Sequence, residues 1–313
     1  MSLVKPITPH LWFDTQAREA AGFYCSVFPD SRIDSVVRLR DTPSGDCDVV
    51  SFVLHGQPFM AISAGPLFKF NPSVSFMVNF DPSRQPDARE RLDATWANLM
   101  AEGGQALMPL DAYPFSPRFG WVQDRYGLSW QLILSDPSSE PRPPIVPALM
   151  FTGAVHGKAE EAGEFYRSVF DGSREGRLVR YPDDTPADSA GADLAGTVMY
   201  SDFRLDDTWF AAMDSGRMHG FGFNEAISFV VNCRDQAEID RYWAQLSSVP
   251  EAEQCGWCKD RYGLSWQISP MVLDELMTSG DQALVDRVTR AFLEMHKLDV
   301  AKIEAAARGG VSG

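Results

Sequence analysis

Short apolar runs and helical spacings alternate along the chain. Residues 8–13 are a short apolar run with aromatics, a length that suits a strand. Asp14 or Thr15 then offers a short side-chain oxygen that can cap a helix. Ala17, Ala20, Ala21, Tyr24 and Phe28 follow at helical spacing and give that helix one apolar face, and Pro29 ends it. Residues 33–39, 48–55 and 58–63 read as strands, the last two joined by the turn His55-Gly56-Gln57-Pro58. A second round opens at residues 73–80 with a strand, followed by a helix around 86–101 that Gly103-Gly104 closes. Strands near 105–109, 118–124 and 128–134 complete it, with Asp124-Arg125-Tyr126-Gly127 as the turn before the last. The pattern is βαβββ, taken twice.

The same pattern then returns. Residues 120–132 read GWVQDRYGLSWQL and residues 256–268 read GWCKDRYGLSWQI, identical at ten of thirteen positions. FYCSVFPDSR at 23–32 matches FYRSVFDGSR at 165–174, and SFMVN at 75–79 matches SFVVN at 228–232. The blocks keep their order, so the chain reads as an internal duplication. Its copies span 1–137 and 148–270, joined by a linker at 138–147 and followed by a tail at 271–313. Five prolines in SDPSSEPRPPIVP (135–147) exclude a helix there and predict an extended, semi-rigid connection. In the tail, Leu273, Leu276 and Met277 form one short apolar face. Ala283, Val288, Phe292, Met295 and Leu298 form another, with Ser279 or Asp281 as the cap. Such a tail either packs over the sheet of the second copy or serves as a dimer contact or a lid.

Composition narrows the function classes. The 313 residues carry 28 Lys and Arg against 43 Asp and Glu, a net charge of −15. That surface repels phosphate backbones and anionic lipid, so neither nucleic acid nor a membrane is an expected partner. The residues before Pro6 and Pro9 form no apolar signal core, and five cysteines in so long a chain read as free thiols. Both features point to a cytoplasmic protein. Cys255 and Cys258 form a CxxC, but Phe119 and Val122 stand at the matching places of the first copy. Positions three apart on a strand also face opposite sides, so these thiols are expected to pack and not to ligate.

Several blocks together resemble a known family. They are PHLWFD (9–14), AAGFYCSVFPDSRI (20–33), HGQPFMAISAG (55–65), SVSFMVNFD (73–81) and the two GW…DRYGLSWQ stretches. The chain resembles the vicinal oxygen chelate (glyoxalase/bleomycin-resistance/dioxygenase) superfamily. Within it, the chain is most similar to the PhnB-like branch labelled 3-demethylubiquinone-9 3-methyltransferase. The resemblance implies an α+β fold of two tandem modules, each of two βαβββ units forming a half-open barrel, plus a helical tail. It also implies that the duplication is an intramolecular pseudo-dimer, with a further homodimer left open. Metal-dependent relatives place ligands on inward-facing strand positions. Carried over residue by residue, these are His10 on strand one, Ser73 before strand five and Gln131 on strand eight, with no His or Glu in 58–64. The second copy has Ala148, Ala226 and Gln267 at the matching places, with Asp214 the nearest strand-four carboxylate.

The expected site follows from this set. A divalent metal in the first copy would rest on His10, with Gln131 as a weak partner, and no other cofactor is implied. Trp12, Phe59 and Met60, with Met150 and Phe210 in the second copy, are expected to wall clefts that hold a small, partly aromatic molecule. Ser73, Gln131, Asp214 and Gln267 would supply its polar contacts. One function is therefore a binding protein with a degenerate metal site. The other is a glyoxalase- or dioxygenase-type enzyme using His10. Methyl transfer is not expected, because no glycine-rich loop follows a first parallel strand.

Overall fold

The computed structural model describes residues 6–185, 194–215 and 219–309. The first copy runs β1 (Ile7–Phe13), α1 (Ala17–Val27), β2 (Arg32–Thr42), β3 (Gly45–Leu54) and β4 (Gln57–Ser63). It continues with β5 (Val74–Phe80), α2 (Ala88–Met100), β6 (Gln105–Tyr113), β7 (Ser116–Gln123) and β8 (Ser129–Leu134). The second copy runs β9 (Ile145–Phe151), α3 (Ala159–Val169), β10 (Arg174–Arg180), β11 (Val198–Leu205) and β12 (Thr208–Asp214). Then come β13 (Ile227–Cys233), α4 (Gln236–Leu246), β14 (Trp257–Lys259) and β15 (Ser265–Pro270). The tail forms α5 (Met271–Met277), α6 (Gln282–Leu293) and α7 (Val300–Ala307). Strand β9 opens at Ile145, inside the stretch expected as linker, because Ile145 and Val146 pair with Val78 and Met77.

The expected α+β architecture is present as two open mixed sheets; three of the four quarters of the chain each form a βαβββ unit, and the last, β13-α4-β14-β15, is one strand short. One has seven strands in the order β14-β15-β13-β1-β4-β3-β2, and the other has eight in the order β10-β11-β12-β9-β5-β8-β7-β6. Which units share a sheet does not follow the duplication. The first quarter of the chain joins the last through antiparallel β1–β13, with His10 opposite Ser228. The second quarter joins the third through antiparallel β5–β9, with Ser75 opposite Ala148. The compact units follow the sheets: one takes the chain start through Cys25 together with Asp30–Lys69 and the residues from Phe223 onward, and the other takes Ser26–Pro29 and Phe70–Gly222. Pro9 and Pro147 fit this plan, because parallel pairing of β1 with β4 begins only at His10 and that of β9 with β12 only at Ala148. A residue without an amide hydrogen therefore sits just before each parallel ladder.

Each sheet has a helix face and an inner face. Helix α4 packs on β13, β14 and β15, while α2 covers β5, β7 and β8 and α3 covers β9, β11 and β12. The approach is close: a Cβ on Gly120 would lie 2.5 Å from the Trp96 ring of α2. The repeated DRYGLSW block organises the end of each sheet. Asp124 accepts hydrogen bonds from the Tyr126 and Leu128 amides at 2.8 and 3.1 Å and from Trp130 Nε1 at 2.9 Å. Asp260 does the same for Tyr262, Leu264 and Trp266, at 2.8, 3.1 and 2.9 Å. Both carboxylates and both indoles are buried, so the block is a structural clasp.

The tail covers more than the second copy. Met277, Val285 and Phe292 join Leu39, Cys47, Trp12, Val37, Val49 and Ile62, which are all residues of the first copy. It is also tied to the β14 approach, where the Cys255 and Gly256 amides donate to the Met295 and His296 carbonyls at 2.8 and 2.7 Å. Cys255 and Cys258 are free, and burial pushes the Cys258 thiol far up. Among the described residues no helix is long and apolar enough to cross a membrane.

Candidate functional site

On the seven-stranded sheet the registers set the inner face. His10 lies between Ser228 of β13 and Met60 of β4, and Trp12 lies beside Ile62 of β4. Thr8 pairs with Val230, Val230 with Gln267, and Gln267 with Trp257, so these four share the face with His10. His10 is 4% exposed, and its Nδ1 is buried with no hydrogen-bond partner among the described residues. Burial lowers its pKa to about 3, so the imidazole is neutral at pH 7. Its ring meets Trp257 edge-on, centroids 5.5 Å apart at 89°. Trp12 meets both Trp257 and Phe68 edge-on, at 6.1 and 5.0 Å, and its Nε1 donates to the Gly65 carbonyl at 2.8 Å. Gln267 donates its Nε2 to Ser228 Oγ at 2.9 Å. Lys259, at the end of the His10 row, is paired with Glu225 at 2.8 Å. The face is therefore aromatic, its Lys259 is paired, and it holds two buried polar atoms without a partner among the described residues, His10 Nδ1 and Ser265 Oγ.

The eight-stranded sheet presents the matching face in other residues. Ala148 stands where His10 does and Met150 where Trp12 does. Gln131 donates its Nε2 to Ser75 Oγ at 2.9 Å, just as Gln267 does to Ser228. Ser73 is buried, and its hydroxyl donates to the Gly222 carbonyl at 3.0 Å, so it is already engaged.

Four expectations about side chains need correction. Phe59 and Met60 are neighbours on β4, so they face opposite sides, and Phe59 stacks on Phe52 away from His10. Phe210 stacks on Phe203, which meets Gly163 of α3, so it belongs to the helix face. Asp214 is on that face too: it accepts from the Ala159 amide at 3.1 Å and the Val198 amide at 3.0 Å, and burial raises its carboxyl pKa. His10 and Gln131 lie on different sheets, because β8 pairs with β5 and β7 and not with β1. The residues that do face inward beside His10, namely Met60, Ser228 and Gln267, offer neutral, weak donors. Among the described residues no three His, Cys, Asp or Glu side chains are placed to hold a metal ion. The donor set around His10 thus does not fit a divalent cation. Trp257 meets both His10 and Trp12, and Phe68 extends the aromatic row at Trp12. The pairing of β14 with β15 brings in Trp257, while Phe68 comes from a connection without strand periodicity.

Two open mixed sheets, with His10 facing inward from the first strand of one and Ala148 at the matching place of the other, are the setting of the family resemblance. A family profile described as 3-demethylubiquinone-9 3-methyltransferase matches residues 5–133 and again residues 143–269. The chain belongs to that family and carries its domain in two copies. A PhnB protein from Bacillus cereus, described by the same methyltransferase name, is 37% identical over 42% of this chain and 100% of its own, with a TM-score of 0.37. A Staphylococcus aureus protein of solved structure is 34% identical over 42% of this chain and 98% of its own, with a TM-score of 0.17. Glyoxalase I from Zea mays is 12% identical over 76% of this chain and 80% of its own, with a TM-score of 0.44. Among curated proteins none matches the chain.

Proposed function

We propose that the chain binds a small, uncharged, partly aromatic molecule on the inner face of the seven-stranded sheet. The observation that carries this reading is His10, a buried neutral imidazole whose Nδ1 has no partner among the described residues, set against the edge of Trp257. A buried polar nitrogen without a partner is unfavourable unless something else satisfies it. A ligand hydroxyl can donate or accept, so it suits either tautomer of the ring. Trp12, Trp257 and Phe68 supply ring edges and faces for an aromatic body. Lys259, at the end of the His10 row, is spent on Glu225, which disfavours an anionic ligand. The reading leaves metal-assisted chemistry aside because one imidazole among Met, Ser and Gln is a poor donor set. It leaves methyl transfer aside because the sequence lacks the glycine-rich loop that a nucleotide-like cofactor requires.

The test is thermal stabilisation of the full chain by a panel of neutral phenols, indoles and quinones. A binder raises Tm through mass action, and the rise is lost in His10→Ala and Trp257→Ala. A panel that leaves Tm unmoved, or a shift unchanged in both variants, overturns the proposal.

A further inference from the structure

An open sheet ends in two edge strands, and an edge offers unpaired amides and carbonyls to any chain that fits. The four edges are β14 and β2 on one sheet and β10 and β6 on the other. Three of them carry a block. β14 is three residues long, and the Cys255 and Gly256 amides just before it already donate to tail carbonyls. β6 has Pro109 in its middle and three breaks in register. On β10, Arg174 and Arg177 hold Glu140 and Ser139, both at 2.9 Å, so the linker is tied to that strand.

β2 is different. It has eleven residues and no proline, and between the register shifts at its ends it pairs evenly with β3 from Ser35 to Leu39. Val36 stands inside this even stretch. It is 40% exposed although it lies opposite the buried Val50. Gln282 Nε2 reaches the Arg38 carbonyl at 3.0 Å. That marks Arg38, and Val36 two residues before it, as positions whose backbone groups point off the edge. A carbonyl has two lone pairs, so the Arg38 oxygen can also take a strand amide.

The side chains flanking Val36 carry opposite charges, with Asp34 two residues before it and Arg38 two residues after. Asp34 pairs with Arg32 at 2.7 Å and Arg38 with Asp48 at 2.8 Å, at the surface, where such pairs exchange at little cost. An antiparallel copy of β2, turned about a twofold axis through Val36, sets Val36 against Val36 and Asp34 against Arg38. The axis makes this ion pair twice. The same operation on β10 about Arg177 sets Arg174 against Arg180, a repulsion.

We propose that β2 is the contact of a symmetric dimer, in which two copies of this chain join their seven-stranded sheets edge to edge into one continuous sheet. The partner is a second copy because the charge pattern of β2 complements itself.

Sedimentation velocity of the full chain over a concentration series is expected to show monomer passing to dimer. Val36→Lys sets two ammonium groups against each other across the axis and should weaken the dimer at least about tenfold, with far-UV circular dichroism unchanged. Cross-linking then reads the register. A directly opposed, hydrogen-bonded pair has Cα atoms about 5.5 Å apart, within disulfide reach. Under mild oxidation Val36→Cys should give a covalent dimer that the wild type, with its own free cysteines, does not. A mixture of Asp34→Cys and Arg38→Cys chains should cross-link, and neither alone. A chain that stays monomeric at every concentration overturns the proposal. So does a dimer that Val36→Lys leaves equally tight, which places the contact elsewhere, or a Val36→Cys chain that forms no more covalent dimer than the wild type. Should Val36→Lys fail to fold, the cross-links decide alone.

Discussion

His10 is buried where a charged imidazole is costly, and this has a consequence for stability. In the folded chain it takes a proton only near pH 3, whereas an exposed histidine does so near 6.5. Between those values the unfolded chain binds more protons than the folded one. Stability is therefore fully in place above pH 6.5 and falls as pH falls, by about 1.4 kcal/mol per pH unit. From pH 7 to pH 5 the loss due to this one group is about 2 kcal/mol. Urea denaturation at both values, compared with His10→Gln, should show a smaller acid loss in the variant by that amount; equal losses would contradict the burial. Asp124 and Asp260 act at the same scale. Replacing either by Ala strands an indole N–H and two turn amides, and each replacement should lower stability by about 2–4 kcal/mol. Similar losses from the two sites would show that the clasp does the same work in both copies. Sequence made the repeat of DRYGLSW plain. It did not show that Asp is its centre, because a turn aspartate and an indole-holding aspartate look alike on paper. Phe59, Phe210 and Asp214 were misplaced for a different reason. A strand's alternation says which residues share a face, and only the pairing says which face looks inward.

At the scale of elements, α6 shows how a capped amphipathic helix covers the Trp12, Val37 and Ile62 end of a sheet's inner face. Asp281 accepts from the Ala283 and Leu284 amides at 2.9 and 3.2 Å, which fixes where α6 begins. Val285 and Phe292 are then set against Trp12, Val37, Val49 and Ile62. Gln282 Nε2 donates to the Arg38 carbonyl at 3.0 Å, and Arg40 pairs with Asp286 at 3.6 Å. Asp281→Ala should lower stability by about 1 kcal/mol, the usual size of a lost cap. Deleting residues 271–313 should do more, since it bares a continuous apolar face on β1–β4; light scattering is expected to show self-association. A truncated chain that stays monodisperse would mean the tail is dispensable cover. The helices themselves were readable, since Asp281 and the apolar spacing both stand in the sequence. Their seat was not, because an apolar stripe names no partner. The tail was expected over the sheet of the second copy, or as a dimer contact or lid; it meets the second copy at Cys255 and Gly256 and also reaches the first, because β1–β4 lie in the same sheet as β13–β15.

That exchange decides how the whole chain folds. A strand's periodicity is satisfied equally by any partner of the right pattern, so β1 could pair with β5 or with β13 on local signals alone. The structure pairs it with β13, five residues deep, and pairs β5 with β9 in the same way. Each seam therefore joins the two copies. Separated copies would expose the inner edges of β1 and β5 in one half and of β9 and β13 in the other, an open invitation to strand addition. The linker keeps the copies at high effective concentration, so the seams close within one chain. A chain cut between Ser138 and Ser139 tests this. The two fragments, co-expressed, should co-purify in a 1:1 complex whose unfolding is cooperative. Each fragment alone should self-associate through the open edges. If either fragment instead gives a compact, stable monomer by sedimentation and hydrogen exchange, its two sheet units have closed on each other, and the seams are not what holds the sheets. Coupling of this kind has a functional side. Because each inner face draws its residues from both copies, a substitution in β13 or β15 reaches the His10 site although it lies more than two hundred residues away in sequence. Ser228→Leu, opposite His10, is therefore expected to weaken ligand binding at the His10 face as much as a change within β1 itself.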